Sequence, residues 1–157
     1  EPADGAPVTS AKTAAAVRKM LEMAAGPGGT APLAQVPGYR VAGKTGTAHK
    51  LEGGRYVKRY IANFVGFAPV SDPRLVVAVM IDEPSAGKYY GGQVAAPVFA
   101  RIVGDALRTL RVAPDAPLTG QVAVCHSPLF SLSIVCGSAV PPGLAILTVM
   151  SSVPMSR

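Results

Sequence analysis

Metal-ligating side chains are scarce in this sequence, which has two cysteines and two histidines among 157 residues. Cys125 and Cys136 form no C-x-x-C pair, so a tetrahedral zinc site lacks its usual donors. Two cysteines also leave the disulfide state and the redox compartment open. Aromatic residues make up only 6% of the chain, and tryptophan is absent. Acidic residues number nine against fifteen basic ones, for a net charge of +6. The cations are scattered among prolines and hydrophobics, most densely at Arg55, Lys58 and Arg59. A nucleic-acid-binding face would interleave them with aromatics. No nucleic-acid partner is expected; the positive balance suits an anionic substrate or envelope surface. The N-terminus shows no signal peptide, anchor or initiator Met. It opens EPADGAPVTS, mid-protein in character, and reads as a fragment or a processed product.

From Gln121 onward charge is nearly absent, Arg157 being the only charged residue. Pro128 to Val149 has the roughly twenty residues of a membrane span. Pro141-Pro142 interrupts it, Gly137 and Gly143 stand alongside, and no basic cluster orients it. No helical stripe runs through it. Residues 118–157 are therefore expected to be an atypical apolar tail outside the domain, a non-native or altered reading of the C-terminus that packs poorly on the body.

The length of 157 residues supports one ordinary domain with one core. Val8 to Ala25 reads as a helix: Thr9 or Ser10 can cap it, Ala14, Val17, Leu21 and Ala24 recur at helical spacing, and Gly26 ends it. After a glycine- and proline-rich loop, Tyr39 to Lys50 reads as a strand. LEGGRYVKRY reads as a polar connection, Ile61 to Pro69 as a second strand and Ser71-Asp72-Pro73 as a turn. Arg74 to Ile81 is a third strand whose continuous apolar run predicts burial on both faces. Short links imply antiparallel pairing. Pro97 opens a final helix with a wide apolar stripe. Arg108 and Arg111 suit its C-terminal end, and Pro114 stops it. Antiparallel strands packed against a C-terminal helix make an α+β layer arrangement.

The densest chemistry is GYRVAGKTGTAHK, Gly38 to Lys50. Gly38 to Thr45 satisfies the phosphate-loop pattern G-x-x-x-x-G-K-[ST]. That loop needs a strand before it and a helix beginning at the G-K-T step, so that backbone N–H groups wrap the phosphates. Here Pro32 and Pro37 spoil the preceding strand. Tyr-Arg-Val-Ala puts strand residues inside the loop, and the glycine-rich sequence after Thr45 makes a poor helix. No downstream strand ends in an evident Mg²⁺-organising Asp. The nucleotide reading fails on context. The remaining reading is a strand whose glycines, Gly43 and Gly46, permit close approach. Lys44 supplies a cation, Thr45 and Thr47 supply hydroxyls for a carboxylate, and an edge N–H can meet a developing oxyanion. A glycine-rich strand with solvated polar groups is the plainer alternative.

Three stretches, AGKTGTA, YIANFVGFAPVSDPRLVVAVMIDEP and GKYYGGQVAAPVFARIVGDALRTL, together resemble class B penicillin-binding proteins, especially the division-specific peptidoglycan D,D-transpeptidases of the FtsI type. TAAAVRKMLE and GPGGTAPLAQVPGYRVAG resemble the segment leading into the K-T-G strand, so the resemblance covers roughly residues 6 to 117. K-T-G accompanies S-x-x-K and S-D-N in such enzymes. The resemblance implies the C-terminal part of a transpeptidase domain. In this family an S-x-x-K serine attacks a D-Ala-D-Ala stem peptide, releases the terminal D-Ala and passes the acyl group to an amine of a neighbouring strand, and a β-lactam acylates the same serine.

Lys44 then matches the lysine that orders the catalytic hydroxyl network. Thr45 and Thr47 bind the substrate carboxylate, the Thr47 N–H forms half of the oxyanion hole, and Gly46 keeps the strand open to the peptide. No metal or organic cofactor is implied. The implied setting is a periplasmic domain of an inner-membrane-anchored envelope protein, with division-machinery membrane proteins as partners. The anchor is not in this chain. One literal S-x-x-K is present, Ser85 to Lys88, but Pro84, Gly87 and the following Tyr-Tyr-Gly-Gly are loop chemistry, whereas the motif needs Ser and Lys one helical turn apart. The true S-x-x-K and S-x-N are expected outside this sequence, leaving the fragment inactive alone. A non-catalytic peptide-carboxylate-binding module and a serine β-lactamase or carboxypeptidase relative remain as alternatives.

Overall fold

The computed structural model describes residues 8–117, 134–136 and 145–152. Helix α1 spans Ala11–Ala25. Ser10 caps it, its hydroxyl oxygen accepting the Thr13 N–H at 3.1 Å, which settles the choice left open between Thr9 and Ser10. A short 3₁₀ turn, Pro32–Ala34, follows the glycine loop. Strands β1 (Ala42–Glu52), β2 (Arg55–Ala68) and β3 (Leu75–Asp82) form an antiparallel meander. Helices α2 (Gly91–Val94) and α3 (Ala96–Thr109) come next. The α+β arrangement expected from the sequence is the one observed.

Two boundaries moved for identifiable reasons. Arg55 to Tyr60 belongs to β2, although its polarity had marked it as a connection. Gly53 and Gly54 have φ of +54° and +76°, the left-handed pair that closes a two-residue hairpin in step with strand twist. The two strands therefore continue beyond the core, where neither face is apolar and no alternation marks them. The short helix α2 also went unseen, since four residues carry no helical period.

The core lies between one sheet face and α3. Phe64, Leu75, Val77 and Val79 from the sheet meet Phe99, Val103 and Leu107 from α3, and all are buried. The Phe64 and Phe99 rings pack edge to face, 4.8 Å apart, the geometry favoured by their quadrupoles. Full burial of each such side chain stabilises by about 1.5–3 kcal/mol. The opposite row differs from expectation: Val76, Ala78 and Met80 are half-buried, and Val65, paired with Ala78, is 45% exposed. That face of β3 is only partly covered.

Among the described residues, with β4 (Ile134–Cys136) and β5 (Ala145–Ser152), the sheet has five strands in the order β1-β2-β3-β5-β4. Strand β5 pairs with β3 in parallel, and β4 pairs antiparallel with β5. Both come from the stretch that its composition had set apart from the body. Backbone pairing is indifferent to missing charge: the outer edge of β3 offers N–H and C=O groups that need partners. The rest of that stretch, Cys125 included, lies outside the described residues. No helix among the described residues is long and apolar enough to cross a membrane.

Candidate active site

Strand β1 is an edge strand, and its register sets the chemistry. Thr45 stands opposite Phe64 and Thr47 opposite Ala62. Directly paired residues share a face, so both hydroxyls lie on the side covered by α2 and α3, at the rim of the core. Lys44 is opposite Val65 on the other face. Its chain bends round the edge, placing Nζ 3.1 Å from the Thr45 carbonyl oxygen and 3.3 Å from Thr45 Oγ1. The phosphate-loop pattern is resolved here too: Gly38 turns at φ +82°, and G-K-T runs along a strand with no helix N-terminus behind it.

Glycines let α2 close on this strand. A Cβ at Gly91 would lie 2.1 Å from the Asn63 carbonyl oxygen and 2.7 Å from that of Gly46. The Gly91 N–H donates to Thr47 Oγ1 at 3.1 Å. Gly46 has a different reason for lacking a side chain: the Asn63 carboxamide occupies the space, with Oδ1 2.3 Å from where a Cβ would be. Asn63 and Gly91 escaped the sequence reading; the Gly91-Gly92 pair before the final helix was the available sign of close approach.

A cleft of about 530 Å³ opens beside these groups, lined by Thr45, Thr47, Thr30, Pro32, Leu33 and Tyr90 to Gln93. Thr30, from the glycine loop, was not anticipated. Tyr90 ends a run of rings: His49 lies 4.5 Å from Tyr60, Tyr60 stacks on Tyr89 at 4.2 Å, and Tyr89 lies 4.5 Å from Tyr90. The far end of this loop is tied by charge. Lys50 Nζ is 2.6 Å from Glu83 and 3.0 Å from Asp82, and those hydrogen bonds, Glu83 first, raise its pKa. A second cleft, of about 540 Å³, lies between the end of α1 and Tyr39–Val41. Its Arg40 and Glu22 are closed on each other in a two-pronged pair at 2.6 and 2.7 Å, so the open hydroxyls point to the first cleft.

Residues 1–104 match the Penicillin binding protein transpeptidase domain family. The chain belongs to that family. The peptidoglycan D,D-transpeptidase FtsI of Escherichia coli (strain K12) is 52% identical over 103 residues, 65% of this chain and 18% of the relative. The probable peptidoglycan D,D-transpeptidase PenA of Neisseria flavescens is 46% identical over 121 residues, 76% of this chain and 30% of that one. Among solved structures, the apo transpeptidase domain of Burkholderia pseudomallei penicillin-binding protein 3 is 56% identical with a TM-score of 0.66, covering 72% of this chain and 34% of that one. The chain thus spans about a third of these relatives at most.

Within this penicillin-binding fold, Lys44, Thr45, Gly46 and Thr47 occupy four consecutive positions of the edge strand beside the cleft. The literal S-x-x-K is elsewhere. Ser85 and Lys88 are exposed in the loop between β3 and α2, and Gly87 between them has φ +74°. The two side chains are not one helical turn apart. Among the described residues, no cluster of three or more His, Cys, Asp or Glu side chains is placed to hold a metal ion.

Proposed function

We propose that this chain forms the carboxylate-binding wall of a peptidoglycan D,D-transpeptidase that crosslinks stem peptides through an acyl-serine intermediate during septal cell-wall synthesis, and that binds penicillin. The supporting observation is that Thr45 and Thr47 line one open cleft, with the Lys44 ammonium 3.3 Å from Thr45 Oγ1. In this reading the hydroxyls hold the terminal carboxylate of D-Ala-D-Ala or of a β-lactam. Lys44 orders the hydroxyl network toward the nucleophile, and Gly46, its side-chain space filled by the Asn63 carboxamide, offers the peptide its backbone edge. The Thr47 N–H meets the developing oxyanion, where preorganised donors act most strongly. The acylated serine belongs to a part of the domain these 157 residues do not hold, so the bare chain is inactive. Residues 1–117 belong to the transpeptidase domain, and the stretch beyond is an addition to it. The family match ends within that segment, at residue 104. The whole protein works at the cell envelope, its transpeptidase domain in the periplasm, in company with membrane proteins of division.

The test joins this chain to the upstream part of a transpeptidase domain and measures acylation by a fluorescent penicillin. Lys44→Ala is expected to cost about 2–4 kcal/mol of transition-state stabilisation, as for other preorganised electrostatic groups. Ser85→Ala should leave the rate unchanged, and the bare chain should form no adduct. A penicillin adduct on Ser85 of the bare chain, found by mass spectrometry, would overturn the assignment.

A further inference from the structure

The cleft contains one hydroxyl that the K-T-G strand does not supply. Thr30 comes from the loop after α1, and its backbone is held on two sides. The Ala31 N–H donates to the Ala24 carbonyl at 3.1 Å, while a Cβ at Gly29 would lie 2.3 Å from that oxygen. On the other side Gly92 presses so close that a Cβ there would be 2.1 Å from the Thr30 carbonyl oxygen. Thr30 is thus clamped between the end of α1 and the start of α2, with its side chain lining the cleft.

The donor sequence gives this position a role. Lys44 Nζ donates to Thr45 Oγ1 at 3.3 Å, and the Thr45 hydroxyl donates to Thr30 Oγ1 at 3.3 Å. A threonine hydroxyl has a single proton, so in this arrangement the Thr45 proton is already committed. Thr47 accepts from the Gly91 N–H and keeps its own proton, and Thr30, accepting from Thr45, keeps its proton as well. The protons left to donate into the cleft are therefore those of Thr30 and Thr47. The Thr30 proton ends a chain that starts on a cation, and each bond in such a chain polarises the next.

Resting on the carboxylate-binding reading above and revising it at Thr45 alone, we infer that Thr30 is a further substrate-binding residue: with Thr47 it donates to the terminal carboxylate, while Thr45, instead of donating to that carboxylate itself, relays the charge of Lys44 to Thr30. This differs from a site made of K-T-G-T alone, because it brings the loop after α1 into recognition.

The experiment titrates the isotopically labelled 157-residue chain with N-acetyl-D-alanyl-D-alanine and with its C-terminal amide, following threonine methyl and amide signals. The carboxylate form should shift Thr30 together with Thr47, and the neutral amide should move Thr30 little. Thr30→Val should weaken carboxylate binding about tenfold, in the range for a hydrogen bond to a charged group, and Thr30→Ser should retain it. If Thr30→Val does not fold, the comparison of the two ligands on the parent chain decides the matter. Shifts at Thr45 and Thr47 with Thr30 silent, or unchanged affinity in a folded Thr30→Val, overturn the role of Thr30 and leave the functional reading standing. A carboxylate that moves none of the three threonines overturns that reading and this one together.

Discussion

Gly91→Ala tests whether glycine at the start of α2 sets the distance between that helix and the K-T-G strand. The added methyl carbon would sit 2.1 Å from the Asn63 carbonyl oxygen and 2.7 Å from that of Gly46. The nearer approach is about 1.3 Å short of ordinary contact. Both obstacles are backbone atoms of paired strands, so no rotamer change relieves them and α2 must withdraw. Overpacking of this kind costs about 1–3 kcal/mol. Withdrawal also breaks the Gly91 N–H to Thr47 Oγ1 bond, worth about 1 kcal/mol. The sum, roughly 2–4 kcal/mol, corresponds to a Tm lower by about 8–16 °C for a domain of roughly 120 residues. Thermal unfolding followed by circular dichroism measures it, and the Thr47 amide signal should move in the same variant. Gly104→Ala is the control: its Cβ would meet only the Val36 side chain and Arg108 tips, at 3.4 Å and beyond, so helix propensity should raise stability by up to about 1 kcal/mol. A Gly91→Ala chain as stable as Gly104→Ala would refute the packing argument.

Two more outcomes follow from the same geometry. Asp115 is partly desolvated, which pushes its pKa up. The Arg40 and Ser71 N–H groups and the Ser71 hydroxyl outweigh this and lower it overall. A depressed folded pKa means the stabilisation is complete above the unfolded carboxylate value of about 3.9 and is lost as pH falls through the lower folded value. Asp115→Asn should therefore lower stability near neutrality and flatten its fall in acid, as read by urea unfolding at a series of pH values; a parallel acid slope in both chains would count against the assignment. Truncation after Pro117 removes β4 and β5 yet leaves every described core residue, Ala25 to Leu107, in place. The remaining fold should persist by circular dichroism, while the bared edge of β3 raises concentration-dependent association; loss of the folded signal would show that β4 and β5 are required.

Local chemistry was legible wherever a residue acts on its own neighbours. Ser10 could be named as a possible cap because a short hydroxyl ahead of an apolar-periodic run satisfies an orphan N–H. The apolar run of β3 and the stripe of α3 followed from their periods. The G-K-T-G strand could be told from a phosphate loop because prolines before it and glycines after it deny the required strand and helix. Family membership was legible for a related reason: similarity over a hundred residues fixes far more than any tetrapeptide.

Assembly of the site was decided by contacts across the chain. No local pattern brings Thr30 within reach of Thr45, fifteen residues away, or sets the Gly91 N–H on Thr47, forty-four residues away. Those meetings depend on α1 ending beside β1 and on glycines that let α2 approach two strands closely. The same holds for Gly46, whose missing side chain is explained by Asn63 on the neighbouring strand. Strands β4 and β5 came from a segment whose composition had set it apart, since the unpaired backbone of the β3 edge accepts a partner on hydrogen bonding alone. The sequence by itself determined which groups are available, a lysine and hydroxyls on an edge strand, while only the tertiary structure decided which of their protons remain free to meet a ligand, because that depends on the partners folding brings to each oxygen.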